Sequence, residues 1–252
     1  MLKMEGVTKS FGGLQALHDV SFTINEGQIH GIIGPNGSGK TTLFNCITGI
    51  LPLTSGNIYF GETKISGMSA DRIANLGIRR TFQAGKLVPS LTVLENVMCG
   101  LSRFTAADGV DVFLRPPFVK SAREKAVRKE ALKFLAAVEM EDSADRWASD
   151  LVWAERQFVQ IVRAIVSRPR ILLLDEPASG MAAKETKMVG DLIKQIQGMG
   201  ITVVVVSHDI KMLMEAAEWV TVFNFGEKIA EGVPDKIQRD PLVLEAYLGT
   251  EG

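Results

Sequence analysis

The stretch Gly34-Pro35-Asn36-Gly37-Ser38-Gly39-Lys40-Thr41 constrains this chain more than any other. It has the pattern G-x-x-x-x-G-K-[ST], follows the apolar run 28–33, and leads through Thr42 into a helical stretch, 41–50. Glycines at that spacing let successive backbone N–H groups turn inward. A helix starting where the turn ends aims its positive end at the same point. Such a loop cradles phosphate oxygens. Lys40 can reach the outer phosphates of a nucleotide, and the Thr41 hydroxyl can ligate Mg²⁺. A strand feeding such a loop and then a helix predicts an α/β fold, a P-loop NTPase with a mainly parallel sheet.

The rest of the chain extends that expectation. Residues 171–174 and 203–206 are continuous branched apolar runs, as strands covered on both faces require. Val189, Leu192, Ile193 and Ile196 recur at helical spacing, and Gly198 closes that helix. The opening third is strand-rich: Leu17, Val20, Phe22 and Ile24 precede Asn25-Glu26-Gly27, and 56–60 and 78–82 read as further strands. Residues 104–118 are loop-like, with Gly109 and Pro116-Pro117. From Val119 the pattern turns helical. Val127, Ala131, Phe134, Leu135 and Val138 share one face, with Glu124 and Arg128 four apart on another. One domain is expected over 1–252, with a catalytic core from 1–83 and 151–252 and a helical subdomain inserted at about 84–150. Asp240-Pro241 reads as an N-cap followed by proline at the first helical position, so 241–248 is expected to be a last short helix.

Composition narrows the class. Hydrophobic residues make up 46%, enough for a substantial core and too many for disorder. The 28 basic and 29 acidic residues nearly cancel and are spread along the chain, which disfavours nucleic acid as a partner. Cys46 and Cys99 form no CxxC and have no histidine nearby, so neither a disulfide framework nor a zinc site is expected. Both are read as buried small hydrophobes in a reducing compartment. Residues 1–6 lack the apolar run of a signal peptide, and the longest apolar stretches are too short to cross a bilayer. A soluble chain is expected, with any membrane role reached through a partner.

Two further places carry chemistry. Asp175 ends the apolar run 171–174, where a carboxylate can hold Mg²⁺ opposite Thr41. Glu176 follows and could accept a proton from an attacking water. His208, in Ser207-His208-Asp209, follows the run 203–206, at the rim where parallel sheets bind ligands.

In this order, these residues resemble the nucleotide-binding subunit of ATP-binding-cassette transporters, and the resemblance covers essentially the whole chain. It implies ATP and Mg²⁺ as cofactors, with Phe11 stacking on adenine and Gln83, in Arg80-Thr81-Phe82-Gln83, joining Thr41 and Asp175 at the metal. It also implies Glu176 as catalytic base and His208 as a contact to the γ-phosphate, beside Lys40. More narrowly, 34–49, 80–83, 91–97 and the ending Ala246-Tyr247-Leu248-Gly249 are similar to the ATPases of bacterial importers for branched-chain amino acids and for polar amides such as urea. That implies transmembrane permease subunits, a second ATPase subunit, indirectly a periplasmic solute-binding protein, and a peripheral place on the cytoplasmic face of the inner membrane. None of these stretches touches a transported solute.

The chain departs from the family in its signature loop. Where Leu-Ser-x-Gly-(Gln/Glu) is usual, it has Leu151-Val152-Trp153-Ala154-Glu155. Val152 has no hydroxyl for the opposite subunit's γ-phosphate, and Ala154 adds a methyl where close backbone approach is expected. Ala182 also stands where Asp or Asn is usual. The P-loop half of the site is complete, so a heterodimer with an intact partner signature is expected ahead of a homodimer. A degenerate ATP-binding scaffold and a soluble switch ATPase are the rival readings.

Overall fold

The computed structural model describes residues 1–81, 87–101 and 122–248. Phe82, Gln83, the loop-like 104–118, the helix start at Val119 and Gly249 therefore lie outside the described residues. The chain divides into two compact units, Met1–Gln83 with Arg170–Gly252, and Ala84–Pro169. The stretch 151–169 falls in the second unit, where the sequence reading put it in the catalytic core. The reason is packing: the helix Trp153–Ile165 lies against the helices Val93–Cys99 and Ala122–Ala136.

The first unit holds two sheets. β1 (Leu2–Phe11) pairs antiparallel with β2 (Leu14–Ile24) on one side and β4 (Ser55–Phe60) on the other. Thr63–Lys64, β5, extends that edge, giving the order β2-β1-β4-β5. In β2, Val20, Phe22 and Ile24 are buried while Ser21 and Thr23 are exposed, the period of two expected of a sheet with one wet face.

The second sheet has a different sequence character because both its faces are covered. Every residue of β3 (Ile29–Ile33), β7 (Ile171–Asp175) and β8 (Thr202–Val206) is buried. With β6 (Ile78–Arg80), β9 (Trp219–Asn224) and β10 (Glu227–Gly232) the order is β10-β9-β3-β8-β7-β6. All neighbours are parallel except the β9–β10 hairpin. Between the sheets, α1 (Lys40–Ile47) contributes Leu43 and Phe44 to one core with Ile32, Val204, Val206 and Phe223 from the parallel sheet and Met4, Phe22 and Ile58 from the antiparallel one. Burial of Leu- and Phe-sized side chains stabilises by roughly 1.5–3 kcal/mol each. The strand–loop–helix carrying the glycines is therefore anchored at both its ends.

His30 sits inside this sheet with no exposed surface. Its Nε2 lies 2.9 Å from Thr221 Oγ1 and its Nδ1 2.8 Å from the Gln28 amide nitrogen. An amide nitrogen only donates, so Nδ1 accepts and Nε2 carries the proton. Burial pushes the imidazole down to about 3, and the ring is neutral.

In the second unit, Val93–Cys99 opens with a capping box: Thr92 N–H donates to Glu95 Oε2 at 2.8 Å and Glu95 N–H to Thr92 Oγ1 at 3.2 Å. Ala131, Phe134, Leu135 and Val138 are buried and Val127 partly so, which gives Ala122–Ala136 and its exit one apolar face. The Glu124 side chain of the expected pair with Arg128 lies outside the described residues; Arg128 reaches Asp145 at 3.4 Å. Cys46 is buried, and burial pushes its thiol up to about 11. Cys99, expected to be buried, is exposed, because it falls on the outer face of its short helix opposite Val93, Leu94 and Val97.

Candidate active site

The glycine loop leaves β3 at Gly34 and enters α1 at Lys40. Gly34 has φ 150°, and a Cβ there would collide with the Phe223 carbonyl oxygen. Gly39, at φ 100°, would collide with the Ala16 carbonyl. Both positions need glycine because neighbouring strands crowd the loop. Between them Asn36 and Gly37 are exposed, Pro35 is half-buried, and Ser38 is buried. Thr41 is exposed at the mouth and Thr42 half-buried behind it.

Lys40 folds back into the loop. Its ammonium donates to Gly34 O at 2.7 Å, Pro35 O at 2.8 Å and Ser38 Oγ at 3.3 Å. Burial holds its pKa below the usual lysine value, while the charges of Glu176 and Asp175 oppose that shift. The sheet thus brings the β3 loop and the end of β7 to the same edge, with β8 between the two strands and all three parallel.

Asp175 closes β7 with its side chain 2% exposed, and Arg80 Nη2 donates to its Oδ2 at 2.7 Å. The other carboxylate oxygen, Oδ1, is buried and has no hydrogen-bond partner among the described residues. Glu176 takes the left-handed backbone, φ 52°, and its N–H donates to Val206 O at 2.9 Å. A bulky residue in that region carries strain of order 1–2 kcal/mol, so the strand end is held by its neighbours. Glu176 Oε2 accepts the His208 N–H at 3.1 Å and lies 2.7 Å from His208 Nδ1. A carboxylate only accepts, so Nδ1 is the donor and the imidazole is turned by that bond. Asp209 caps the helix that follows, accepting Met212 N–H at 2.9 Å.

Lys40, Asp175, Glu176 and His208 are therefore gathered. Phe11 sits at the tip of the β1–β2 hairpin, 45% exposed, with the Lys9 ammonium 4.9 Å from its ring centre. Gln83 lies outside the described residues. Two partners of the site escape a reading of motifs. Arg80 was visible only as the first letter of its tetrapeptide, 95 positions from the carboxylate it meets. Tyr247, on the closing helix Pro241–Leu248, hydrogen-bonds to the Gly34 backbone. Burial, opposed by that bond, pushes its phenol up to about 12, with the Glu176 charge adding to the rise.

The departures of the signature loop are also placed. Val152 is the N-cap of the helix Trp153–Ile165, 62% exposed, and Trp153 is 48% exposed. Val152 N–H donates to Glu155 Oε2 at 3.0 Å, so half of a capping box survives; valine offers no oxygen for the other half. Ala154 is buried, 7% exposed, while Val152 and Trp153 are exposed beside it. Ala182 caps Ala183–Gly198 in the same half-made way, its N–H donating to Glu185 Oε2 at 2.9 Å. Among the described residues no helix is long and apolar enough to cross a membrane.

Comparison with known proteins agrees with this chemistry. Residues 17–179 match the ABC transporter family, and residues 227–252 match a family described as branched-chain amino acid ATP-binding cassette transporter. The high-affinity branched-chain amino acid transport ATP-binding protein LivG of Salmonella typhimurium is 36% identical over 250 residues, covering 99% of this chain and 98% of its own. BraF of Pseudomonas aeruginosa, bearing the same description, is 37% identical over 251 residues at the same coverage. The crystal structure of the ADP conformation of MJ1267, an ATP-binding cassette of an ABC transporter, superposes with a TM-score of 0.85 at 31% identity, covering 99% of this chain and 98% of that one. The chain belongs to the ABC transporter family and is one of its ATP-hydrolysing cassettes.

Proposed function

We propose that this cassette binds ATP with Mg²⁺ and hydrolyses it to drive import of branched-chain amino acids or closely related solutes through a membrane permease. The observation that carries the ATPase chemistry is the gathering of Lys40, Asp175, Glu176 and His208 around one loop. Backbone N–H groups of the loop 34–41 and the Lys40 ammonium would hold the β and γ phosphates, and Phe11 would stack on the base. Glu176, oriented by His208, would take the proton of the attacking water. His208, 63% exposed at its side chain, would also contact the γ-phosphate. Catalysis of this kind is mostly positioning and charge stabilisation.

The residues fit Mg²⁺. Asp175 Oδ1 is buried and lacks a hydrogen-bond partner among the described residues, and the Thr41 hydroxyl is accessible at the loop's mouth. Gln83 would join them. Among the described residues no three His, Cys, Asp or Glu side chains gather into a cage. That suits Mg²⁺, which is usually held by one or two protein groups plus substrate phosphates. Bound there, it would neutralise developing charge on the phosphate oxygens.

Import of branched-chain amino acids is supported by the names of the full-length relatives and by the match of 227–252. The same relatives, described as transport ATP-binding proteins, support permease partners; a peripheral place on the cytoplasmic membrane face and an indirect link to a solute-binding protein are part of the same proposal. We favour a heterodimer because Val152 removes the oxygen acceptor at the helix start while the P-loop side is intact. The catalytic core comprises the unit carrying the P-loop, with the helical unit serving the partner's nucleotide and the permease. The test is uptake of radiolabelled leucine into vesicles carrying the permease pair and both cassettes. ATP-dependent accumulation supports the reading; hydrolysis without accumulation of any branched-chain amino acid removes the substrate assignment.

A further inference from the structure

Arg80 has no assigned role in the chemistry above, yet its guanidinium is held by three partners. Its Nη2 donates to Asp175 Oδ2 at 2.7 Å, its Nη1 donates to Asn45 Oδ1 at 2.6 Å, and its guanidinium lies 5.4 Å from the centre of the Phe44 ring. The Arg80 and Asp175 side chains are 5% and 2% exposed. The planar fork of arginine is what lets one side chain grip a carboxylate and an amide oxygen while its charge lies over a ring. Asn45 and Phe44 both lie on α1, so the guanidinium ties the end of β7 to the helix that follows the phosphate loop.

The consequence is a balance of charge. Asp175 and Glu176 are buried carboxylates, and Lys40 feels both. Without Arg80 they would outnumber the buried cations beside them, and a negative pocket with an orphan oxygen at Asp175 Oδ1 attracts any hard divalent ion. With Arg80 on Oδ2 the two carboxylates face two cations.

We propose that Arg80 makes the metal site nucleotide-dependent: by neutralising Asp175 it denies the site to a bare divalent cation until phosphate oxygens supply the missing charge. Arg80 is then a positioning residue, acting through Asp175. This rests on the reading of Asp175 as a metal ligand. The rival is a plain buried ion pair that ties β6 to β7; removing it would loosen the fold and create no metal site.

Mn²⁺ serves as the probe, titrated into the full chain and followed by the electron paramagnetic resonance signal of the free ion. Wild type is expected to take up Mn²⁺ saturably with ADP and not without it. Arg80→Met and Arg80→Gln should gain a nucleotide-free site at least about tenfold tighter than wild type, since a unit charge beside the ligand has been removed. Adding Asp175→Asn should abolish that site, whereas Arg80→Lys, which keeps the charge, should behave as wild type. Arg80→Gln retains a hydrogen bond to the carboxylate and guards against a variant that fails to fold, with near-ultraviolet circular dichroism as the check. Folded Arg80→Gln or Arg80→Met protein with no gain in Mn²⁺ affinity overturns the proposal, as does wild type that binds Mn²⁺ equally well without nucleotide. Mn²⁺ uptake with ADP that survives Asp175→Asn would instead overturn the underlying metal-ligand reading.

Discussion

Restoring a hydroxyl at Val152 separates the two possible assemblies. Val152 is the N-cap of Trp153–Ile165, and its side chain offers no oxygen to the first-turn N–H groups, while Glu155 already closes the other half of the box. Val152→Ser therefore completes the box, and an N-cap serine is worth about 1 kcal/mol over an apolar residue. Toward a nucleotide on the opposite subunit, one hydrogen bond to a charged phosphate is worth about 1.5–3 kcal/mol, roughly a 10- to 100-fold gain if it forms mainly in the transition state. Ala154 is buried, so adding Ala154→Gly should contribute less to that gain and should cost roughly 0.5–1 kcal/mol of helix stability. The assay is steady-state ATP hydrolysis by the purified chain alone and with its partner cassette, with chemical denaturation run in parallel. A heterodimer predicts higher stability, no gain alone, and a gain only when the partner's P-loop is intact. A large gain in the chain alone would refute the heterodimer. No change in stability would refute the capping argument itself.

Three further outcomes follow from the same geometry. Lys40→Ala removes the ammonium bonded within the loop and should abolish tight ATP binding; unchanged affinity in a fluorescent-ATP titration would exclude the loop as the phosphate site. His30 is buried neutral at about 3 against an ordinary 6.5, so the unfolded chain binds the extra proton first. Its contribution is complete above pH 6.5 and is lost as pH falls toward 3, by about 1.4 kcal/mol per pH unit; unfolding curves at pH 7.5 and 5 should differ less in His30→Asn, and an unaltered pH slope would contradict this. The stretch 84–101, whose first three residues lie outside the described set, is expected to face the permease; Val88, 42% exposed, is the residue to change, since Glu95 is committed to its capping box. Val88→Glu should cut transport while basal hydrolysis stays within about twofold, given that exposed substitutions rarely move stability; unimpaired transport would place the docking surface elsewhere.

Much of the parallel sheet was legible because its strands are buried on both faces and read as unbroken apolar runs. β7 and β8 were found within a residue at each end, and Asp240 does bond the Leu242 N–H at 2.9 Å at the start of the last helix. The β9–β10 hairpin was not seen. Its turn carries Phe225, 85% exposed at φ 44°, where a small polar residue would have signalled a turn. Phe225 forfeits that signal while Gly226 keeps the geometry, its N–H donating to Ser38 O at 3.2 Å. Contacts between distant positions left no mark either: nothing in the tetrapeptide at Arg80 points to Asp175, and nothing in the tail points Tyr247 to Gly34. The division into units was not legible for a similar reason, since Trp153–Ile165 groups with the helices that cover its apolar face.

The central claim is that this chain's own loop and Glu176 turn over ATP in the assembled transporter. The direct measurement is hydrolysis by the reconstituted complex in which only this chain carries Glu176→Gln. The substitution preserves shape and can still accept the His208 N–H, so nucleotide affinity should hold. Turnover at that site should fall by roughly 10²–10⁴, leaving a complex that retains ATP. Hydrolysis at the wild-type rate with the variant fully incorporated would contradict the account.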